Sequence, residues 1–450
     1  MQFITLMDYL LLPIYLVVIF IIANNFKNSH YPPGHPWRKY FMPALSVKVI
    51  GAIFIGMVFQ YYYGGGDTSY YFYQSKIVNE AISDNPFQGF QLMFHIPKAY
   101  EGDFQMYISR MEWYAGLNTF IVIALGTFIN LFTFSTFLPT SIIFACISFT
   151  GVWALFRTFA KQYPTYLRQV AIALLFIPSC FIWGSGIFKD TLCMFSLGWL
   201  TYCVFQILVE KKFSILNFIY VFLSFYIIAI VKVYILIAFI PAVSLWILLI
   251  YSKQIRSLAI RIGMKIALFF ILALSLSVLS ETYAEDLGRY SLDNIAKTAE
   301  VTRSYILGES GKNDGSAYDL GEIDPSPLGL IKVFPKALVA ALYGPFLWES
   351  KKIIILLNAL EASLFLFITI RILFRIGFKK FFKVIQEDPN IQFFIVFTLI
   401  FGFAVGLTSG NYGALSRYRI PCLPMFGLAL LLIYYKSDVQ KKPLFPFLGI

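Results

Sequence analysis

The side chains most able to do chemistry in this 450-residue chain fall into three short clusters. The first is Gly64-Gly65-Gly66-Asp67-Thr68-Ser69-Tyr70-Tyr71-Phe72-Tyr73, which begins where a long apolar run stops. It places one carboxylate, Asp67, on a glycine turn at the edge of a membrane. A carboxylate near an apolar roof can reach a substrate proton and hold a pKa suited to removing it, so Asp67 is a candidate general base. Tyr70, Tyr71 and Tyr73 offer faces on which a sugar ring or lipid headgroup stacks. A glycine helix cap followed by an interfacial aromatic belt draws on the same residue types. Triple glycine joined to an acid exceeds what a cap needs.

The second cluster is Trp183-Gly184-Ser185-Gly186-Ile187-Phe188-Lys189-Asp190, at the head of the apolar run 191–206. Ionisable residues at a membrane helix end either snorkel or serve a site. The Gly-Ser-Gly stretch supplies backbone amides suited to an anion. Asp190 is a second candidate catalytic acid and Lys189 a candidate substrate ligand. The third cluster is Ser416-Arg417-Tyr418-Arg419-Ile420-Pro421, followed by Cys422-Leu423-Pro424. Arginine binds phosphate through a planar two-pronged fork, so Arg417 and Arg419, with Tyr418 between them, are candidate ligands for a phosphate or pyrophosphate headgroup. Snorkelling to lipid phosphates is the alternative use. Arg110 (beside Glu112) and Lys232 complete the candidate binding residues. Lys332 and Lys336 flank an apolar stretch and would serve equally as interfacial anchors.

The elements that must hold these clusters are membrane helices. The chain is 59% hydrophobic, 19% aromatic and 13% charged, and its mean hydropathy is +0.72. Soluble domains average roughly 45–50% apolar and about 25% charged. Many apolar runs reach the length of about 18 residues or more that crosses a hydrocarbon core of about 30 Å. The expectation is an all-α polytopic membrane protein with about 10–12 spanning helices in a single integral domain over 1–450. A β-barrel would show short alternating segments instead. The first run, 9–23, lacks a basic start and a small-residue cleavage site and reads as a retained helix. The net charge of +12 sits in short loops, as the positive-inside rule requires, and does not point to nucleic acid. Five cysteines without CxxC spacing and three scattered histidines give no disulfide framework or metal-ligand pattern.

Loop charge sets the orientation. Segments 251–265 and 371–383 carry bases without acids and are expected to be cytoplasmic, as is the tail with Lys436, Lys441 and Lys442. Segment 281–325 holds ten acids against four bases and is expected outside, with a helix over 292–307. Two long external loops follow, 64–116 and 281–352, and all three clusters fall on the external side. An odd number of crossings must then separate Asp67 from Arg157. Stretch 117–156 looks like two helices divided near Pro139, so 117–131 is expected to be re-entrant or interfacial. The stretch 334–347, bounded by Pro335 and Pro345, is expected to behave likewise. No internal repeat is visible, which weakens an inverted-repeat transporter.

Taken together, the clusters resemble the GT-C superfamily of polytopic glycosyltransferases, which includes protein O-mannosyltransferases and aminoarabinose transferases. Asp67 matches the acid of that family's first external loop. Lys189 and Asp190 follow a helix containing Pro178, as the family's second acidic element does. Arg417-Tyr418-Arg419-Ile420-Pro421 is similar to its Arg-Tyr-x-x-Pro-like element. The chain departs from the pattern in having a single acid followed by Thr68 and an additional N-terminal helix. The resemblance implies transfer of a sugar or glycan from a polyprenyl-phosphate-linked donor to a glycan, lipid or protein acceptor, on the external face of a bacterial cytoplasmic membrane. It implies a place in cell-envelope polysaccharide biosynthesis. Asp67 would be the base, and Arg417, Arg419 and Lys189 would hold the leaving phosphate. No cofactor is required by this reading, and a divalent metal stays open. The chain also resembles bacterial polysaccharide-assembly proteins and O-antigen polymerases. A polymerase or ligase driven by external arginines, a transporter or flippase of a lipid-linked or anionic solute, and a non-catalytic envelope subunit are the alternatives.

Overall fold

The computed structural model describes residues 2–98, 102–252 and 327–437, with 257, 263, 318, 320, 321 and 444. The expected acidic segment 281–325, including the helix over 292–307, lies outside the described residues. Among the described residues the chain is all-α, and no strand forms. Eight helices there are long and apolar enough to cross a membrane, nine if one pair bent by 70° counts as a span. The expected 10–12 spans refer to the whole chain. The helices divide between two compact units.

The first unit holds α1 (Leu6–His30), α2 (Arg38–Met57), α3 (Asp67–Asp84), α4 (Pro86–Met93), α5 (Gln105–Ile108), α6 (Leu117–Asn130), α7 (Phe137–Gln162) for most of its length, α10 (Lys189–Val204) and α11 (Ile215–Lys232). Leu10, Ile14, Val17 and Ile21 of α1 are exposed, which suits a bilayer as solvent. α6 has 14 residues. At 1.5 Å per residue it is about 21 Å long, short of the hydrocarbon thickness. It packs on α3, where Asn130 Nδ2 donates to Ser75 Oγ at 2.8 Å, and Thr140 Oγ1 of α7 donates to Asn130 Oδ1 at 2.7 Å. The break before α7 comes at 131–136, and Pro139 sits inside the first turn of α7, where proline costs no helical hydrogen bond. α7 and α10 approach backbone to backbone: a Cβ at Gly198 would lie 1.9 Å from the Gly151 carbonyl oxygen. Small residues permit such crossings where lipid supplies no hydrophobic drive.

The second unit holds α8 (Leu167–Leu175), α12 (Tyr234–Ser252), α13 (Pro327–Tyr343), α14 (Ile353–Ile376), α15 (Phe378–Glu387), α16 (Pro389–Thr408), α17 (Tyr412–Tyr418) and α18 (Leu423–Lys436). The short helix α9 (Pro178–Trp183) belongs to both. Phe393, Phe394, Phe397 and Phe401 of α16 are fully buried, and α16 packs on α12, α13 and α18. The expected element 334–347 is a longer helix, α13. Pro335 stands inside it and does not bound it. Asp388 caps α16, accepting from the Asn390 and Ile391 amides, and also accepts from Tyr163 Oη at 2.8 Å and Lys436 Nζ at 2.5 Å.

Candidate functional site

In the first unit, the last turn of the second span is π-helical, Val58–Tyr62. Insertions of this kind cluster at functional positions. Gly64, Gly65 and Gly66 follow with φ of 71°, 145° and 139°. Three consecutive residues in the positive-φ region explain three glycines, since any side chain there would be strained. Gly66 is tied to Ser69: its amide donates to Ser69 Oγ at 3.0 Å, and that hydroxyl donates to the Gly66 carbonyl at 2.7 Å. Asp67 is therefore the first residue of α3, half-buried, where the helix dipole favours its charge. Beside it, Trp113 lies between Tyr70 and Tyr71, at centroid distances of 5.4 and 5.2 Å. Tyr71 is buried, while Tyr70 and Tyr73 are exposed.

One ring, Phe59, packs against both the first and the second cluster. The Phe59 ring fills the space where a Gly66 side chain would stand, 2.5 Å from a Cβ built there. The same ring lies 6.4 Å from Trp183 and 5.6 Å from Phe188. The turn 184–188 is fixed from another side by Lys48, a buried residue of α2. Its Nζ donates to Ser148 Oγ at 3.0 Å, the Cys180 carbonyl at 3.2 Å and the Gly184 carbonyl at 2.8 Å. An ammonium has three donors, and these acceptors use all of them. Lys189 is half-buried at the start of α10.

Asp190 and Lys232 are brought together, with Nζ to Oδ1 at 2.5 Å and side-chain exposures of 0% and 8%. The two candidate acids thus differ: Asp190 is sealed against a lysine, whereas Asp67 stands at a partly accessible helix start. Arg110 pairs with Glu80 through two hydrogen bonds of 2.9 and 2.8 Å on the surface of this unit. That contact holds the Glu80 carboxyl below the usual carboxylate range and raises the Arg110 guanidinium further. Glu112 is exposed.

In the second unit, Arg417 and Tyr418 are half-buried at the end of α17. Arg419 is fully buried. Its Nη1 donates to the Ala341 carbonyl at 3.2 Å and to the Gly344 carbonyl, and its Nη2 lies 3.9 Å from Glu361 Oε1. It therefore caps the C-terminal end of α13, where a cation is favoured. Of the two arginines expected to bind phosphate, Arg417 is the more accessible. Lys332 and Lys336 are exposed on α13.

Lys48, Trp113 and Glu361 were not singled out from the sequence. Lys48 and Glu361 carried a usable signal, a lone ionisable residue inside an apolar run. Trp113 carried none. Among the described residues no three potential metal ligands stand together. The chain matches no family model, no curated protein and no solved structure.

Proposed function

We propose that this membrane protein is a glycosyltransferase that moves a sugar or glycan from a polyprenyl-phosphate-linked donor to an acceptor hydroxyl on the external face of the membrane. The observation that supports this reading best is that Phe59 packs against Gly66, next to Asp67, and against Phe188, next to Lys189, within one unit in which Asp67 and Lys189 are both half-buried. Asp67 takes the proton of the acceptor hydroxyl. The resulting oxygen attacks the anomeric carbon, and the bond from that carbon to the phosphate oxygen breaks. The electron pair leaves with the phosphate, whose charge Lys189 and nearby amides stabilise. Tyr70 and Trp113 present ring faces to the sugar.

The test is turnover of the purified protein in lipid with radiolabelled polyprenyl-linked sugars. Asp67→Asn should lose about 10²–10⁴-fold in rate, the scale of a general base, while donor binding persists. Turnover that survives Asp67→Asn and disappears in Arg417→Ala would replace this reading with the arginine-driven polymerase. Donor binding without turnover of any substrate would replace it with transport.

A further inference from the structure

Helices α14 and α16 are both long and apolar enough to span, and only residues 377–388 join them. That connector holds α15, whose ten residues make a helix of about 15 Å, too short to cross a hydrocarbon core of about 30 Å. The end of α14 and the start of α16 therefore lie on one side of the membrane, with α15 at its surface. Gly377 makes the turn into α15 with φ of 73°, a value that suits glycine. Val384 is buried, and α15 packs on α14, α16 and α18. One side of the helix is thus fixed against its own unit.

The rest of α15 has two unlike faces. At about 100° per residue, Phe378, Phe382 and Ile385 fall in one arc and Lys379, Lys380 and Lys383 in the opposite one. Phe378 and Phe382 are 68% and 56% exposed, and Phe374 in the last turn of α14 is 87% exposed. All three lysines are exposed. Phenylalanines are costly to leave in water and favourable in the acyl region just beneath the headgroups.

Charge decides which lipid fits. Neighbouring bases are used within the unit: Arg375 Nη1 donates to Tyr434 Oη at 2.5 Å, and Lys436 Nζ pairs with Asp388 at 2.5 Å. Glu387 is the one acid of α15 and lies 3.9 Å from Lys383. Both are exposed, so water leaves little of that attraction. Three lysines therefore stand outward against one acid. A zwitterionic headgroup brings no net charge to them, whereas an anionic surface favours each lysine by about fivefold in binding. A soluble acidic partner would meet the lysines but leave Phe378 and Phe382 in water.

We propose that α15 is an in-plane anchor that binds anionic phospholipid, with Phe374, Phe378 and Phe382 among the acyl chains and Lys379, Lys380 and Lys383 at the charged headgroups. The site does not depend on the transferase reading and would exist in a transporter equally.

Photolabelling of the full-length protein in nanodiscs tests it. Two probes share one diazirine-bearing acyl chain, carried on phosphatidylglycerol or on phosphatidylcholine. Phosphatidylglycerol should label the segment 374–387 in excess. Each of Lys379→Gln, Lys380→Gln and Lys383→Gln should cut that excess about fivefold at low salt, and the triple change should abolish it. These side chains are exposed, so the variants should keep the fold. Phe378→Ser combined with Phe382→Ser should lower labelling by both lipids and keep the preference. Segment 27–39 is the control. It also carries bases, but Lys27 donates to Asn24, and Arg38 donates to Asn28 and the Tyr31 carbonyl. It should show a much smaller preference. An equal preference there would reduce α15 to ordinary loop charge and overturn the site. Equal labelling of wild-type 374–387 by the two lipids would overturn the anionic assignment. Absence of label from either lipid would remove the bilayer as the occupant of the phenylalanine face.

Discussion

Asp190–Lys232 in the first unit and Glu361–Arg419 in the second are both buried acid–base pairs, yet they are built differently. Asp190 is the second residue of α10 and Lys232 the last of α11, so each charge sits at the helix end whose dipole favours it. Their atoms touch at 2.5 Å. Glu361 lies inside α14, away from that helix's ends; its partner is 3.9 Å away, one of its oxygens accepts from the Ser179 amide at the start of α9, and the other accepts no hydrogen bond. The closed pair accounts for itself as structure, since it joins the mouth of the α10–α11 hairpin. The open pair is looser, and its arginine is held mainly by the Ala341 and Gly344 carbonyls. Buried charge alone is therefore a weak pointer to function in this molecule.

The comparison can be broken most directly at Asp190. Asp190→Asn would strand the Lys232 ammonium, and the expected loss is roughly 3–5 kcal/mol, seen as a large fall in thermal unfolding temperature in nanodiscs. Adding Lys232→Met should recover much of it, because the stranded charge is then gone. Glu361→Gln should cost less, roughly 1–3 kcal/mol, since Arg419 keeps the Ala341 and Gly344 carbonyls. Equal losses at Asp190 and Glu361 would show that the two pairs do the same work.

Lys48 sharpens the same point from a third direction. It is buried without an acid and satisfied by three oxygens. Lys48→Met removes the charge together with its hydrogen bonds, so no ion is stranded. The expected cost is roughly 1–3 kcal/mol for the acceptors left behind, below that of Asp190→Asn. The 184–188 turn should loosen locally, and hydrogen exchange at the amides of 185–188 would report it.

Much of this arrangement was legible in the sequence because composition and local chemistry carry it. Span lengths, the glycine turn before Asp67 and the apolar run after Asp190 are local signals, and the all-helical membrane fold follows from them. Pairings were not legible. Asp190 meets Lys232 across 42 positions, and Arg419 meets Gly344 across 75, because helix packing chooses those partners. Arg419 was expected to hold a phosphate, and the structure buries it against the C-terminal end of α13. The start of α13 was misplaced, because Pro335 suggested a boundary where the structure continues the helix. Glu361 was overlooked in a run otherwise free of acid, where one carboxylate changes the composition very little and the local chemistry a great deal.

The smallest expected effect lies at the surface, where Glu80 and Arg110 form the same kind of pair with side-chain exposures of 47% and 40%. Water screens both charges, so the pair should contribute only roughly 0.2–1 kcal/mol despite two short hydrogen bonds. Its sign with pH is fixed. The Arg110 guanidinium holds the folded Glu80 carboxyl below its unfolded value. The stabilisation is therefore fully present above the unfolded value of about 4.3 and is lost as pH falls through the lower folded value. Arg110→Ala should lower thermal stability slightly at neutral pH and leave it unchanged once Glu80 is protonated, and high salt should shrink the neutral-pH difference. A loss that persists when Glu80 is protonated would mean that Arg110 acts through its packing and its hydrogen bond with Tyr73, not through its charge. The same salt series on Asp190→Asn should show no screening, because that pair is sealed from solvent. The contrast between the two series would measure how far burial, and not the mere pairing of opposite charges, separates the sealed pair from the surface one.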